Sequence, residues 1–267
     1  MLSISLVLYN TSQEDISRLV CESLNLDYLV NFYLIDNSPE PQKISFNDER
    51  VRYIFNGQNL GYGKGHNIAL RESISRKTQY HIVLNPDIYF DARDMYKIIE
   101  FLNENKEVAH LMPNIVNQSG EMQFLSKTLP SPVDVFLRAF AKKYISTKRD
   151  VRFHLKTMDH QKIMWSPYLS GCFMVFRTEV LSKVGVFDER FFMYPEDIDL
   201  TRRIAMHHKT IFYPYVTVIH RHEKASYKSL KMKWIHIYNM MKYFNKYGWF
   251  WDVERKKLNQ AALNQVQ

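Results

Sequence analysis

Apolar runs of strand length alternate with helix-spaced stripes through the first 105 residues, and this alternation limits the fold more than any other feature of the chain. ISLVLYN (4–10), FYLIDNS (32–38), VRYIFN (51–56) and YHIVLNPD (80–87) are near-continuous hydrophobic runs, the pattern of strands covered on both faces. Between them, EDISRLVCESL carries Ile16, Leu19, Val20 and Leu24 on one stripe, and GKGHNIALRESI opens a second helix. DARDMYKIIEFLNEN is a third helix, with Asp91 placed as N-cap and Asp94 as the reciprocal capping-box partner. Strands and helices in strict alternation predict an α/β fold built on a parallel sheet.

Ligands of such sheets bind beyond the carboxyl ends of the strands. Polar residues collect there: Tyr9-Asn10 after the first strand, Asp36-Asn37-Ser38 after the second, Asn85-Pro86-Asp87 after the fourth. Pro86 cannot donate a ladder hydrogen bond, so it ends its strand and leaves Asp87 at the strand mouth. One polar strand end is a turn, whereas three in register point to a site.

Past residue 105 the alternation breaks. VAHLMPNIVNQSGEMQFLS reads as two strands joined by the turn Gln118-Ser119-Gly120, SPVDVFLRAFAKKYI as a helix, and TIFYPYVTVIH as a late strand ending at His220. Residues 146–163 are charged and lack periodicity, so a mobile loop is expected there. The 267 residues, 46% hydrophobic, suffice for one large domain or two small ones. The two cysteines lie far apart in apolar contexts, which suits a reducing compartment better than a disulfide scaffold. MLSISLVLYN reads as a strand and not a signal peptide, and no apolar stretch approaches the ~20 residues of a membrane span. A cytoplasmic protein, soluble or peripheral, is the expectation.

Two stretches concentrate candidate chemistry. NLGYGKGHN (59–67) carries glycines at alternate positions but lacks the G-x-G-x-x-G order and the place after the first strand of a dinucleotide fingerprint. It therefore lies close against a ligand, or crosses a neighbouring segment. In FFMYPEDIDLTRR (191–203) an apolar wall runs into Glu196 and Asp197. Both acids could simply start a helix behind Pro195. Desolvation would instead raise a carboxylate toward the working range of a general base. Asp199 with Arg202 or Arg203 is read as a surface ion pair. His220 ends a strand, with His222 two residues on, and imidazole with the Asp87 carboxylate could serve a divalent cation.

Together VLYN, LIDNSP, NLGYGKGHNIAL, LNPD, SGCFMVFR, FDERFFMYPEDIDLTRRI and VIH resemble, in order, the family 2 glycosyltransferases of the GT-A fold, especially the rhamnosyltransferase-like branch of bacterial surface-polysaccharide synthesis. The resemblance implies a Rossmann-like, mostly parallel central sheet flanked by helices. It implies a catalytic domain over residues 1–222, with a nucleotide-binding half (1–105) and an acceptor half (106–222), followed by a helical, amphipathic extension at 223–267. Tyr9, Asn10, Asp36, Asn37, Asn59, Gly61, Gly63, Gly65 and Asn67 would surround the nucleoside. Asn85 and Asp87 stand where the family has its Asp-x-Asp motif, so Asp87, with His220 near it, would hold Mg2+ or Mn2+ at the diphosphate. Asp197 would be the catalytic base of an inverting displacement and Glu196 its helper. Gly171 and Cys172 would line the sugar pocket, and Arg203 would approach the diphosphate unless Asp199 holds it.

The implied reaction is hexosyl transfer, with dTDP-L-rhamnose as donor and a saccharide or polyprenyl-diphosphate-linked glycan as acceptor. Galactosyl or glucosyl transfer from a UDP-sugar stays open, as does a non-catalytic nucleotide-sugar-binding scaffold, which Asn85 alone favours. A nucleotidyltransferase would need a glycine-rich basic loop after the first strand, which is missing. The net charge of +8 is concentrated after Tyr227, where lysines interleave with Trp, Tyr, Phe and Met. No nucleic-acid module accompanies them. Core packing of an amphipathic helix and peripheral contact with the anionic inner face of a membrane are both compatible with that segment.

Overall fold

Each apolar run of the first half becomes a strand. The computed structural model describes residues 1–44, 46–221 and 230–265. The order is β1 (Leu2–Leu8), α1 (Gln13–Leu24), β2 (Leu29–Asp36), β3 (Val51–Phe55), α2 (Tyr62–Ser75), β4 (Tyr80–Leu84), β5 (Ile88–Tyr89) and α3 (Ala92–Glu104). Then follow β6 (Val108–Val116), β7 (Ser126–Lys127), α4 (Pro132–Phe140), α5 (Thr147–Phe153), β8 (Met164–Trp165), β9 (Tyr168–Leu169), β10 (Phe173–Arg177) and α6 (Thr178–Val184). The chain closes with α7 (Glu196–Ala205), β11 (Lys209–His220), α8 (Leu230–Tyr247) and α9 (Val253–Leu263).

One sheet runs β3-β2-β1-β4-β10-β6-β11-β5, with β8 added against β11. β1, β2, β3, β4, β6 and β11 share one direction, and β10, β5 and β8 oppose them, so the sheet is mostly parallel, as expected. Every residue of β4 and β10 is buried, because helices cover both faces. Register aligns Leu8 with Asp36 and Leu6 with Leu84, which brings the polar ends of β1, β2 and β4 to one edge.

The chain departs from its sequence reading in three places. The expected partner arm after Gly120 forms only a single bridge, Val116 with Met122, and β7 pairs instead with β9. Residues 146–163 are not a featureless loop: Ser146 caps α5 through the Arg149 amide, and Phe153, Leu155 and Met158 are buried. Three anchors without a shared period escape a periodicity test. At α3, Asp91 does cap the helix, by accepting from the Arg93 amide, while Asp94 turns to Lys97 and the reciprocal bond is not made.

The C-terminal helices pack on the body. Met240, Tyr243, Phe244 and Leu258 join Leu129, Phe191 and Ile198 in one apolar cluster. Arg202 of α7 meets Asp252, the N-cap of α9, in a fully buried bidentate pair at 2.6 and 2.7 Å. His222 and residues 223–229 lie outside the described residues.

Candidate active site

Pro86 ends β4 as its chemistry requires, and three contacts fix the turn that follows. Arg18 donates to the Pro86 and Ile88 carbonyls at 3.1 and 2.6 Å, and the Arg221 amide donates to the Asp87 carbonyl at 2.9 Å. Asp87 Oδ2 thereby stands 3.2 Å from His220 Nε2 at the end of β11. Gln123 sets the histidine tautomer. Its Nε2 donates to the His220 carbonyl at 3.0 Å, so its Oε1 faces His220 Nδ1 at 3.2 Å, and Nδ1 must carry the proton. Nε2, on the other side of the ring, faces the Asp87 carboxylate, and would offer a lone pair beside it when the ring is neutral. Two electron-pair donors converging in this way fit a hard divalent ion that takes its other ligands from a phosphate. Among the described residues no cluster of three or more His, Cys, Asp or Glu side chains is placed to hold a metal, so the pair could supply only part of a coordination shell.

Into the cleft that His220 also lines, the start of α7 presents Glu196 and Asp197, both buried. Pro195 is the N-cap residue rather than the first helical residue, and the Tyr194–Pro195 peptide is cis. Asp197 Oδ2 accepts the Gly171 amide at 3.0 Å and Oδ1 accepts the Ile198 amide at 2.8 Å. Burial raises the Asp197 carboxyl above its ordinary value, and those two amides with Lys127 pull against the rise. Glu196 is pushed further up, first by burial and then by the Asp197 charge, and its Oε2 has no hydrogen-bond partner among the described residues. The pair therefore divides its labour: Asp197 is the better anion and Glu196 the better proton holder.

Gly171 and Cys172 complete the wall. A side chain at Gly171 would press on Asp197 Cβ at 3.3 Å, and Tyr62 donates its hydroxyl to the Gly171 carbonyl at 2.5 Å. The Cys172 carbonyl accepts the Asn85 amide at 2.9 Å, and burial pushes its thiol up to about 12, which makes it an inert lining group. Asn85, His220, Gly171, Cys172, Glu196 and Asp197 all open into one cleft of about 610 Å3. Tyr62 of the glycine loop lines it too, as do Gln123, Lys127 and Arg138, and nothing in the local spacing of those last three announced them.

On the side expected to take the nucleoside, the residues hold one another in place. Tyr9 is half exposed beyond β1, and the Asn10 amide donates to Ser38 Oγ at 2.9 Å. Asp36 is buried, which would raise its pKa, but hydrogen bonds from Ser38, Tyr53 and Gln42 outweigh burial and lower it. Asn37 donates to the Gly61 carbonyl at 3.1 Å, and Asn59 accepts the Gly61 amide at 3.0 Å. The glycine loop crosses a neighbouring segment closely. A Cβ on Gly61, at φ +85°, would strike the Phe192 carbonyl. On Gly63 it would meet Phe187 Cβ at 2.9 Å, and on Gly65 Val7 Cγ2 at 2.8 Å.

Two residues expected at the ligand are engaged with other parts of the chain. Asn67 is buried with its amide spent on the backbone of Phe187, at 2.9 and 3.0 Å, and it fastens the segment that leads to the acids. Arg203 lies outside the cleft, held by Asp199 at 2.8 Å and by the carbonyls of Val184 and Val186. Asp199 itself is fully buried, bound by Arg203, Lys246 and Tyr247, and is not the surface ion pair expected.

The family profile Glycosyl transferase family 2 matches residues 3–185. Among curated proteins, the low-salt glycan biosynthesis hexosyltransferase Agl10 of Haloferax volcanii is 26% identical over 204 residues, covering 76% of this chain and 61% of that protein. The chain thus spans about three fifths of the length of that relative. The N-acetylglucosaminyl-diphospho-decaprenol L-rhamnosyltransferase of Mycobacterium tuberculosis is 24% identical, covering 74% of this chain and 68% of that protein. The rhamnosyltransferase WbbL of Escherichia coli is 22% identical over 89% of this chain and 91% of its own length. Among solved structures, GalNAc-T7 with UDP, GalNAc and Mn2+ superposes with a TM-score of 0.59 at 16% identity, over 82% of this chain and 43% of that one. S. aureus TarS gives 0.56 at 15% identity, over 82% and 36%. These likenesses identify the fold as that of the GT-A glycosyltransferases.

Proposed function

Because the chain belongs to glycosyl transferase family 2, we propose that it is an inverting hexosyltransferase that moves L-rhamnose from dTDP-L-rhamnose to a saccharide carried on a lipid diphosphate. One observation carries the reading: a buried, amide-braced carboxylate, Asp197, shares a cleft with the Asn85 and His220 ends of the sheet. In this reading the nucleoside lies over the ends of β1 and β2, against Tyr9 and the Asp36-Asn37-Ser38 turn. Asp87 and His220 would hold a Mg2+ or Mn2+, which supplies charge neutralisation for the departing nucleoside diphosphate.

Asp197 takes the proton of the acceptor hydroxyl, whose oxygen bonds to the anomeric carbon as the bond to the diphosphate oxygen breaks. Attack from the face opposite the leaving group inverts that carbon. Glu196, kept protonated by burial beside the Asp197 charge, donates a hydrogen bond that orients the acceptor. Gly171 has no side chain and so leaves room for the sugar while its amide braces the base. The rhamnosyl donor is supported by the two relatives named rhamnosyltransferases.

A contact with anionic membrane is supported by the outer faces of two helices. α4 buries none of its side chains, and Val133, Phe136 and Phe140 point outward from it. Trp234, Tyr238 and Met241 of α8 are exposed beside it, and Lys233 stands 4.7 Å over the Phe140 ring. Among the described residues no helix is long and apolar enough to cross a membrane.

The test is a panel of dTDP- and UDP-sugars with a prenyl-diphosphate glycan, in which proton NMR reads the anomeric configuration of the product. Transfer from dTDP-L-rhamnose with inversion is the expected result. Preference for a UDP-hexose would replace the donor, and retention of configuration would remove Asp197 as base.

A further inference from the structure

We propose that Arg138 and Lys127 form a second anion subsite in the cleft, which takes the phosphates of a diphosphate linker on the acceptor. The inference rests on the glycosyltransferase reading and extends it to a part of the cleft that the reading leaves unused.

Arg138 is the main observation. Its Nη1 donates to Asp150 at 3.1 Å, and its guanidinium carbon sits 4.1 Å over the Phe153 ring, so the group is held in place. Its Nε and Nη2 are buried and have no hydrogen-bond partner among the described residues. Those two nitrogens form one edge of the guanidinium, the edge that binds an oxyanion through two parallel bonds. Arg50 and Arg190 use the same edge on the carboxylates of Asp48 and Asp188. On Arg138 that edge belongs to a residue lining the cleft.

Lys127 of β7 lines the same cleft and has no carboxylate partner among the described residues; its ammonium stands 5.2 Å over the Tyr168 ring. The nearby acids are already engaged. Asp134 accepts from Arg149 at 2.7 Å, and Asp150 accepts from Lys156 at 3.0 Å as well as from Arg138. His154 accepts no role as a counter-cation, because burial and Lys127 hold it near 4 and neutral. Burial also pulls the Lys127 ammonium down from its ordinary value, and the Asp197 charge acts against this. Lys127 therefore lies within electrostatic reach of Asp197, where the acceptor must stand, and Arg138 lines the same cleft.

α4 explains why the ligand would be amphipathic. Its Asp134, Val135, Arg138 and Ala139 face the cleft, while Val133, Phe136 and Phe140, on the opposite face, are exposed. A polar linker inside and an apolar chain outside would be met by one helix.

The experiment is calorimetric titration of the full chain with three probes: a short prenyl diphosphate carrying one hexose, the same hexose on an uncharged alkyl chain, and inorganic pyrophosphate. Each is titrated with saturating Mg2+ and nucleoside diphosphate present. The wild type should prefer the diphosphate probe, and Arg138→Gln should cut its affinity about tenfold or more while the alkyl glycoside is little changed. Lys127→Met should act in the same direction, and a melting curve verifies the fold of each variant. Equal affinity of the wild type for both hexose probes overturns the proposal, as does an Arg138→Gln variant that keeps the difference. Pyrophosphate that binds only without nucleotide overturns it by returning the anion to the donor position. Competition by phosphatidylglycerol vesicles for bound pyrophosphate overturns it in favour of a lipid headgroup. If no nucleotide sugar is turned over with any acceptor, the glycosyltransferase reading fails, yet the titrations still report on Arg138.

Discussion

Asp197 and Glu196 are adjacent acids with different environments, and the difference suggests their roles. Asp197 has two amide donors and a nearby lysine, whereas Glu196 has a bare oxygen and a charged neighbour. Asp197→Asn keeps the shape but cannot take a proton, so transfer should fall about 10²–10⁴-fold while nucleotide binding persists. Stopped assays with parallel nucleotide titration separate the two effects, and lost binding would reassign the residue. Since a base must be ionised and burial raises Asp197, kcat/KM should climb with pH through a limb above the ordinary carboxylate range. A profile flat down to about pH 4 would contradict that. Gln123 offers a prediction of its own. Replacing it with Leu releases the His220 ring, and Mn2+ affinity in the presence of nucleotide should fall about 10–100-fold, read by electron paramagnetic resonance. At this scale the acids, Asp87 and His220 were visible in the sequence because each ends or begins an element. Gln123 was not, since its partner lies 97 residues away.

At the scale of elements, α8 and α9 hold the segment that carries the acids. Asn239 donates to the Met193 carbonyl at 2.9 Å, Lys242 to that of Arg190 at 2.8 Å, and Lys246 binds both Asp188 and Asp199. The sequence suggested amphipathic helices there but could not show that one of them caps itself with the partner of a buried arginine. Asp252→Ala would leave Arg202 charged and unpaired, and the loss should be about 3–5 kcal/mol in urea unfolding. A loss under about 1 kcal/mol would mean that water reaches the guanidinium, as for an exposed pair. The glycine loop teaches the same lesson. Alternate glycines suggested a close approach, and packing against Phe187, Phe192 and Val7 decided what approaches.

For the whole molecule, three buried histidines link stability to pH. Ser5 bridges His66 and His81 inside the sheet–helix layer, at 2.7 and 2.8 Å, and His110 bonds the Val175 carbonyl. Burial lowers His66 well below its ordinary value, His81 to about 3 and His110 to about 4. Their unfolded forms bind protons first, so stability should be constant above pH ~6.5 and drop by about 1.4 kcal/mol per unit for each histidine below it. Chemical denaturation at pH 7 and pH 5 measures the slope, and equal stability would show that the imidazoles are hydrated. The outer surface has its own test. Trp234→Ala with Phe136→Ala should weaken sedimentation with phosphatidylglycerol vesicles by about tenfold or more, since each ring buries about 1.5–3 kcal/mol in the interface. Unchanged sedimentation would leave that face without a lipid role. The sequence by itself determined the alternation of strands and helices, the polar strand ends brought to one edge, and the acids at the start of a helix. Periodicity and chain-breaking residues are local, and they act within one element. Tertiary structure alone decided that Asn67 bonds the Phe187 backbone and Arg203 bonds Asp199, that Gln123 orients His220, and that Arg138 lines the cleft with two buried nitrogens left without a hydrogen-bond partner among the described residues. Each of those outcomes depends on which distant segments meet, as Asn67 meets Phe187 across 120 residues, and no local pattern encodes such a meeting.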